Sequence, residues 1–195
     1  MKYVQNTAVL SFIDDVANGV IDINEQRERI LRLADKTFLD NINAEQLDII
    51  STEIEWNGDC NRVQLPCDVY RLLRVIYNRV VVNWASKGDY LYIPNLPHNA
   101  TRKAEIHYYS LPMDNDEFIY PLEMVEMIAY TVIVTLLLPM SFTKPELSAI
   151  RIQYEQMKIA TFYQYKQSLL HLSMTDIEII TNYQQTADFK FRQIL

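Results

Sequence analysis

Apolar positions recur at helical spacing through the first fifty residues. Val9, Phe12, Ile13 and Val16 fall on one face, and Asn18-Gly19 stops that helix. Asn24 stands where it can cap a second helix carrying Ile30, Leu31, Ala34, Phe38 and Leu39. Asn43 and Gln46 have capping-box spacing, which predicts a short third helix through Ile50.

The period then changes from 3.6 to 2. Glu53-Ile54-Glu55-Trp56 alternates polar and apolar residues, and Asn57-Gly58 follows as a strong hairpin signal. Asn61 to Leu65 reads as the return strand, stopped by Pro66. Arg71 to Trp84 reads as one or two strands, with a helical start at Asp68 left open. Ser86 to Asp89 is a turn and Tyr90 to Ile93 a further strand. A loop with Pro97 leads to Lys103–Tyr109, where Ala104, Ile106 and Tyr108 share a face.

Helices are expected again after Asp114-Asn115-Asp116. Leu122 to Leu138 is apolar nearly all round, as a helix buried on every side would be, and Pro139 is expected to break it. Pro145 suits the first turn of a long helix to about His171, along which Leu147, Ile150, Tyr154 and Met157 form a stripe. Ser173 or Thr175 can cap a last short helix, and Ala187 to Leu195 reads as a tail or arm. The expected architecture is mainly α: one domain over 1–195, with a helical body (1–52 and 113–195) and a β-rich antiparallel insertion at about 53–112.

Charge sharpens this division. Residues 1–60 carry 12 acids and 5 bases, residues 61–110 carry 3 and 7, and residues 111–195 carry 10 and 6. The β-rich middle is thus the basic part of an acidic chain. An acidic chain is a poor candidate for holding DNA by its phosphates, and suits a surface that DNA slides past. The Met127–Met140 run is 14 residues long, short of the ~20 that span a bilayer. The N-terminus has no continuous apolar stretch, so no signal peptide is read, and a soluble protein made in a reducing cytoplasm is expected.

Candidate chemistry is sparse. His98, His107 and His171 lack metal-ligand spacing, and Cys60 and Cys67 lack the second pair a zinc ribbon needs. A Cys67 nucleophile paired with His107, or a cation at Asp114, Asp116 and Glu117, are the enzymatic alternatives; buried thiols and a solvated turn are the plainer ones. No P-loop, dinucleotide fingerprint, nucleophile elbow or HExxH helix occurs. A non-enzyme with no catalytic, cofactor or metal site is expected. Arg62, Arg71, Arg74 and Arg79, interleaved with Trp84, Tyr90 and Tyr92, form a candidate interface for protein or nucleic acid. Ile152, Ile159, Phe162 and Tyr163 give the last long helix a second apolar face, a candidate contact with another subunit.

Three stretches resemble the phage head-to-tail adaptor family, which includes tail tubular protein A. Val63-Gln64-Leu65-Pro66-Cys67-Asp68 with Arg71-Leu72-Leu73-Arg74-Val75 is similar to the family's Leu-Pro-Asp and Arg-Leu run. Glu105-Ile106-His107-Tyr108-Tyr109-Ser110-Leu111-Pro112 is similar to its Ile-x-Tyr-Tyr strand, and Phe118-Ile119-Tyr120-Pro121-Leu122-Glu123 through Leu138 to the helix that follows. The resemblance spans Val63 to Met140; the acidic first fifty residues do not match. It implies a virion neck protein that forms a homo-oligomeric ring, commonly of twelve copies. Such a ring docks on the portal protein, extends the DNA channel and supports neighbouring tail or neck rings. Packaged DNA would pass through without specific binding. The composition, rich in Asn, Ile and Tyr, is compatible with a crAss-like phage neck. The alternative is a small helical regulator or nucleic-acid-binding protein using the basic middle.

Overall fold

A computed structural model describes residues 2–56, 62–94 and 102–170. The expected Asn57-Gly58 turn, Cys60, the loop with Pro97 and His98, His171, the last short helix and the Ala187–Leu195 arm lie outside them. Side chains of Glu45, Trp56, Arg102 and Leu170 are likewise outside. The chain divides into two compact units: Met1–Thr7 with Asp35–Tyr120, and Ala8–Ala34 with Pro121–Leu195.

The mainly-α expectation is overturned. Of the described residues 51% are helical and 30% are in strands, with four helices and three antiparallel sheets of three or four strands. The fold is therefore an α/β mix. The strands at 3–5, 85–87, 113–114 and 117–121, and the first part of the strand at 48–56, carry no long alternation, so the sequence pattern does not announce them.

The helical unit contains α1 (Thr7–Ala17), the first part of α2 (Ile23–Asn41), α3 (Val125–Thr143) and α4 (Glu146–Leu170). On α1, Val9, Leu10, Ile13 and Ala17 are buried. Phe12 meets Tyr130 of α3 edge-on at 5.4 Å. Gly19 adopts φ +78°, and the amides of Val20 and Ile21 both close on the Ala17 carbonyl. That left-handed residue costs glycine nothing, so Asn18-Gly19 does end the helix. Asp22, rather than Asn24, caps α2: its Oδ1 accepts the Glu25 amide at 3.1 Å.

α3 carries ten buried side chains from Val125 to Leu137. With the 3-10 turn before it, Leu122–Thr143 is long and apolar enough to cross a membrane, and half of its most apolar 18 residues are buried within the protein. Pro139 does not break it; the helix runs on to Thr143. Proline has no N–H to offer the Thr135 carbonyl, and near an exposed helix end water can serve that group. α4 packs on α3, and Tyr154 donates its hydroxyl to the Val16 carbonyl at 2.5 Å.

Among the described residues the β-rich unit holds ten strands. β1 (Tyr3–Gln5), β10 (Glu117–Pro121) and β9 (Met113–Asp114) form one sheet in that order. β2 (Asp48–Trp56), β8 (Arg102–Ser110), β4 (Val69–Tyr77) and β5 (Val80–Val81) form the largest. β3 (Arg62–Gln64), β7 (Tyr90–Tyr92) and β6 (Ala85–Lys87) form the third. The largest sheet and Leu91 and Ile93 enclose a core of Ile54, Leu72, Val75, Ala104, Ile106 and Tyr108. A second apolar contact joins Phe38 to Phe118 and Tyr120, with ring centroids 5.8 and 5.3 Å away.

Three local expectations are corrected here. The third helix is one 3-10 turn, Ala44–Gln46, in which Gln46 accepts the Asn43 amide at 2.9 Å. β2 begins at Asp48 because its β-branched residues pair along all of β8. β3 does not return along β2; it pairs with β7. Helix does resume at Leu122, but a hairpin that the sequence did not announce comes before it. Asn115 and Asp116 take φ +49° and +64° between β9 and β10. Asn78 and Arg79 do the same, at +49° and +67°, between β4 and β5. Both are two-residue turns of the twist that antiparallel strands prefer.

Candidate interface on the sheet and on α4

Residues alternate across the largest sheet, so one face builds the core and the other presents polar groups. On the polar face four side chains from three strands form a chain. Ser51 of β2 donates to Glu105 Oε1 at 2.6 Å. His107 Nε2 lies 2.8 Å from the same Glu105 oxygen, though poorly aligned with it. Arg74 of β4 donates from Nη2 to His107 Nδ1 at 3.4 Å. Arginine has no acceptor, so Nδ1 is the bare nitrogen and the ring proton sits on Nε2, facing the carboxylate.

His107 is 7% exposed. Burial and then the Arg74 charge hold its pKa below the ordinary 6.5, against the opposing pull of Glu105. The Ser51 hydrogen bond, with help from His107 and Arg74, holds Glu105 below its ordinary 4.5. The serine bonds to the carboxylate and not to the imidazole. The order needed for a nucleophilic serine is therefore absent from this group. Further along β8, Lys103 Nζ lies 2.7 Å from Glu53 and 3.7 Å from Glu55, all three exposed.

At the other end of the strands Asp68 ties the sheet together. It accepts from the Tyr108 hydroxyl at 3.1 Å and from Ser110 Oγ at 2.6 Å, and its carbonyl accepts the Leu111 amide at 2.7 Å. Asp68 and Glu105 lie in stretches the sequence singled out, but their hydrogen-bonding roles, and Ser51 altogether, escaped sequence reading. Each is an ordinary polar residue whose partner is about 40 to 55 positions away, and no local signal marks it.

The sequence-derived interface residues are spread over several elements. Arg62 lies on β3 with its guanidinium 5.1 Å from the Tyr90 ring centroid, and Tyr92 is half-buried on β7. Arg71 is exposed on β4, whereas half-buried Arg74 is engaged by His107. Arg79 occupies the exposed β4–β5 turn, and half-buried Trp84 packs against the core. The structure thus brings Arg62 and Tyr90 together, and aligns Arg71 and Arg74 on β4. On α4, Ile152, Ile159 and Tyr163 are exposed at 49, 49 and 63%, and Phe162 is half-buried with Lys166 Nζ over its ring at 5.4 Å. Spacings of seven and four put the three exposed residues in one line along the helix.

Cys67 is exposed, 3.8 Å from Asp116, and no histidine is paired with it among the described residues. Among those residues no three His, Cys, Asp or Glu side chains converge as a metal site would require.

The His107 group makes a pH prediction. A histidine held below its ordinary pKa takes up its proton in the unfolded chain first. Its contribution is then complete above pH 6.5 and is lost as pH falls through the lower folded value. Denaturant titrations of His107→Gln are expected to lack this part of the stability loss below pH 6.5. An unchanged pH profile would show that His107 does not carry it.

No protein-family model matches the chain, and no curated protein matches it.

Proposed function

We propose that this chain is a ring-forming head-to-tail adaptor of a phage particle, docking on the portal and extending the DNA channel. Two chemically different exposed surfaces on one chain carry the reading. The Ile152–Ile159–Tyr163 line on α4 is apolar, and the sheets display Arg62, Arg71, Arg79 and Lys87 without ion pairs among the described residues. A closed ring of identical subunits requires two such unlike surfaces, because each contact is heterologous. The resemblance of Val63 to Met140 to the adaptor family supplies the place of that ring in the virion, and twelve copies follow from the family. The acidic balance of the chain suits a channel through which DNA moves without being held.

Native mass spectrometry of the chain mixed with the portal protein of the same genome tests this. A portal complex carrying multiple copies is expected. Ile152→Asp with Ile159→Asp is expected to lower the copy number at least tenfold in occupancy while leaving the far-ultraviolet circular dichroism unchanged. Portal rings that stay bare with the wild-type chain would refute the proposal.

The unpaired exposed bases also favour a second reading, a nucleic-acid-binding module. It requires a gel shift at submicromolar protein that weakens steeply with salt. The adaptor reading expects none.

A further inference from the structure

The two long edges of the largest sheet differ. Along the outer edge of β4, β5 covers only Ile76 and Tyr77. The rest is interrupted by β-bulges that leave Tyr70 and Leu73 unpaired between Val69/Arg71 and Leu72/Arg74. Bulges of this kind blunt an edge against further pairing. β2 forms the opposite edge. Its nine residues pair with β8 in unbroken register, and among the described residues no strand pairs with its other side, although β3 comes close to β2. A long regular edge is a template for one more strand.

The two faces of that edge are chemically distinct. Half-buried Ile50 and buried Ile54 flank the core. Glu53 and Glu55 stand on the polar face, two carboxylates sharing the single Lys103. A strand that fits must therefore alternate apolar with basic residues. Phe189-Lys190-Phe191-Arg192 does so, with both aromatics on one parity and both bases on the other, and Asp188 is the one acid on the basic parity of the 187–192 segment. Pairing it to β2 sets both aromatics beside the Ile50–Ile54 side and both bases beside Glu53 and Glu55. Opposite charges across neighbouring strands favour that register.

We propose that the 187–192 segment of a second copy adds as a fifth strand to the outer edge of β2. The assignment to a second copy rests on the ring reading above. From Leu170 to Phe189 there are 19 residues, which extended reach about 60 Å, enough to cross to a neighbouring subunit. Strand exchange of this kind links successive subunits in one direction, as a ring requires.

Hydrogen exchange of the Asp48–Trp56 amides, followed on the full chain at low and high protein concentration and with portal present, tests the proposal. Wild-type β2 amides facing away from β8 are expected to slow at least tenfold at high concentration or on portal. Lys190→Glu with Arg192→Glu, both outside the described residues, is expected to abolish the slowing. Glu53→Lys with Glu55→Lys on an otherwise normal tail is expected to abolish it too. Mixing these two variants swaps the charges between copies and is expected to restore it. Equal exchange rates in wild type and the tail variant under every condition overturn the proposal. Protection independent of concentration and not restored by mixing places the segment on its own subunit and overturns the second-copy assignment. Bare portal with tail-dependent protection intact counts against the adaptor reading alone.

Discussion

Replacing Ile106 with alanine is expected to lower the unfolding free energy of the β-rich unit by about 2–5 kcal/mol. Ile106 sits at the middle of β8, the strand that pairs with both β2 and β4. Its side chain is fully buried, opposite Thr52 on one neighbour and Val75 on the other, within the core built from Ile54, Leu72 and Tyr108. Shortening it forfeits the transfer energy of three carbons. It also leaves a cavity that two registered neighbours cannot close without breaking their own pairing. Ile106→Val removes one methyl group and is expected to cost about 0.5–1.5 kcal/mol. Val80, 62% exposed on β5, is the control: alanine there is expected to change stability by less than about 0.5 kcal/mol. Urea titrations of the three variants would settle the comparison. A loss below about 1 kcal/mol for Ile106→Ala would mean that the core lies elsewhere.

The second large effect concerns Asp35 and Tyr120. The Tyr120 hydroxyl donates to Asp35 Oδ1 at 2.6 Å, and Tyr120 is fully buried. Burial lifts the Asp35 pKa above its ordinary 3.8, and the Glu117 charge adds to this while the Tyr120 hydrogen bond opposes it. Burial, followed by the hydrogen bond to Asp35, pushes the phenol well above its ordinary 10, so it remains a donor across the working pH range. Glu117 is itself held by Asn6, whose Nδ2 donates to it at 3.0 Å.

Tyr120→Phe removes the donor and leaves a part-buried carboxylate without it, at a cost of about 1.5–3 kcal/mol at pH 7. The sign of the pH dependence follows from the raised pKa. Folded Asp35 takes up its proton before the unfolded chain does. The stability from this group is thus complete below pH 3.8 and lost as pH rises through the folded value. The phenylalanine variant lifts that pKa further, so its deficit is expected to be largest near neutrality and to shrink on acidification. Asp35→Asn keeps an acceptor for Tyr120 without the charge. It is expected to be at least as stable as wild type at pH 7 and to lose this pH-dependent contribution. A Tyr120→Phe deficit of equal size at pH 4 and pH 7 would exclude the coupling. His107 works in the opposite direction, losing stability as pH falls, so the two groups separate in one pH series of variants.

How much of this was legible in the sequence differs from element to element. The alternation of Ala104, Ile106 and Tyr108 announced β8, because a half-buried strand writes its period directly into its side chains. The Val9–Ile13 face and Gly19 announced α1 and its end for similar local reasons. The two left-handed turns at Asn78-Arg79 and Asn115-Asp116 were hidden, since neither contains glycine and only the pairing of the flanking strands forces those backbones to φ > 0. Residues 43–50 carry a cap signal and β-branched residues at once, and the conflict was resolved by β8, more than fifty positions away. Pro139 was expected to stop α3, yet a proline close to an exposed helix end forfeits only one hydrogen bond.

The candidate site divides in the same way. Composition alone marked the middle as basic and aromatic, and helical spacing alone marked Ile152, Ile159 and Tyr163 as a second apolar face. The fate of each arginine was not local. Arg74 is taken up by His107, a residue 33 positions away, while Arg71, on the same strand, stays exposed. The Ser51–Glu105–His107–Arg74 chain exists only because β8 lies between β2 and β4.

The sequence by itself determined the helical faces, the strand of greatest alternation, the uneven charge and the 187–192 pattern, because these depend on neighbours a few residues apart. Tertiary structure alone decided that β2 pairs with β8 rather than β3 and that β2 keeps an open edge. It also decided that the fold mixes α and β. Strand partners are chosen by burial of a shared face among segments far apart in the chain, and no local pattern records that choice.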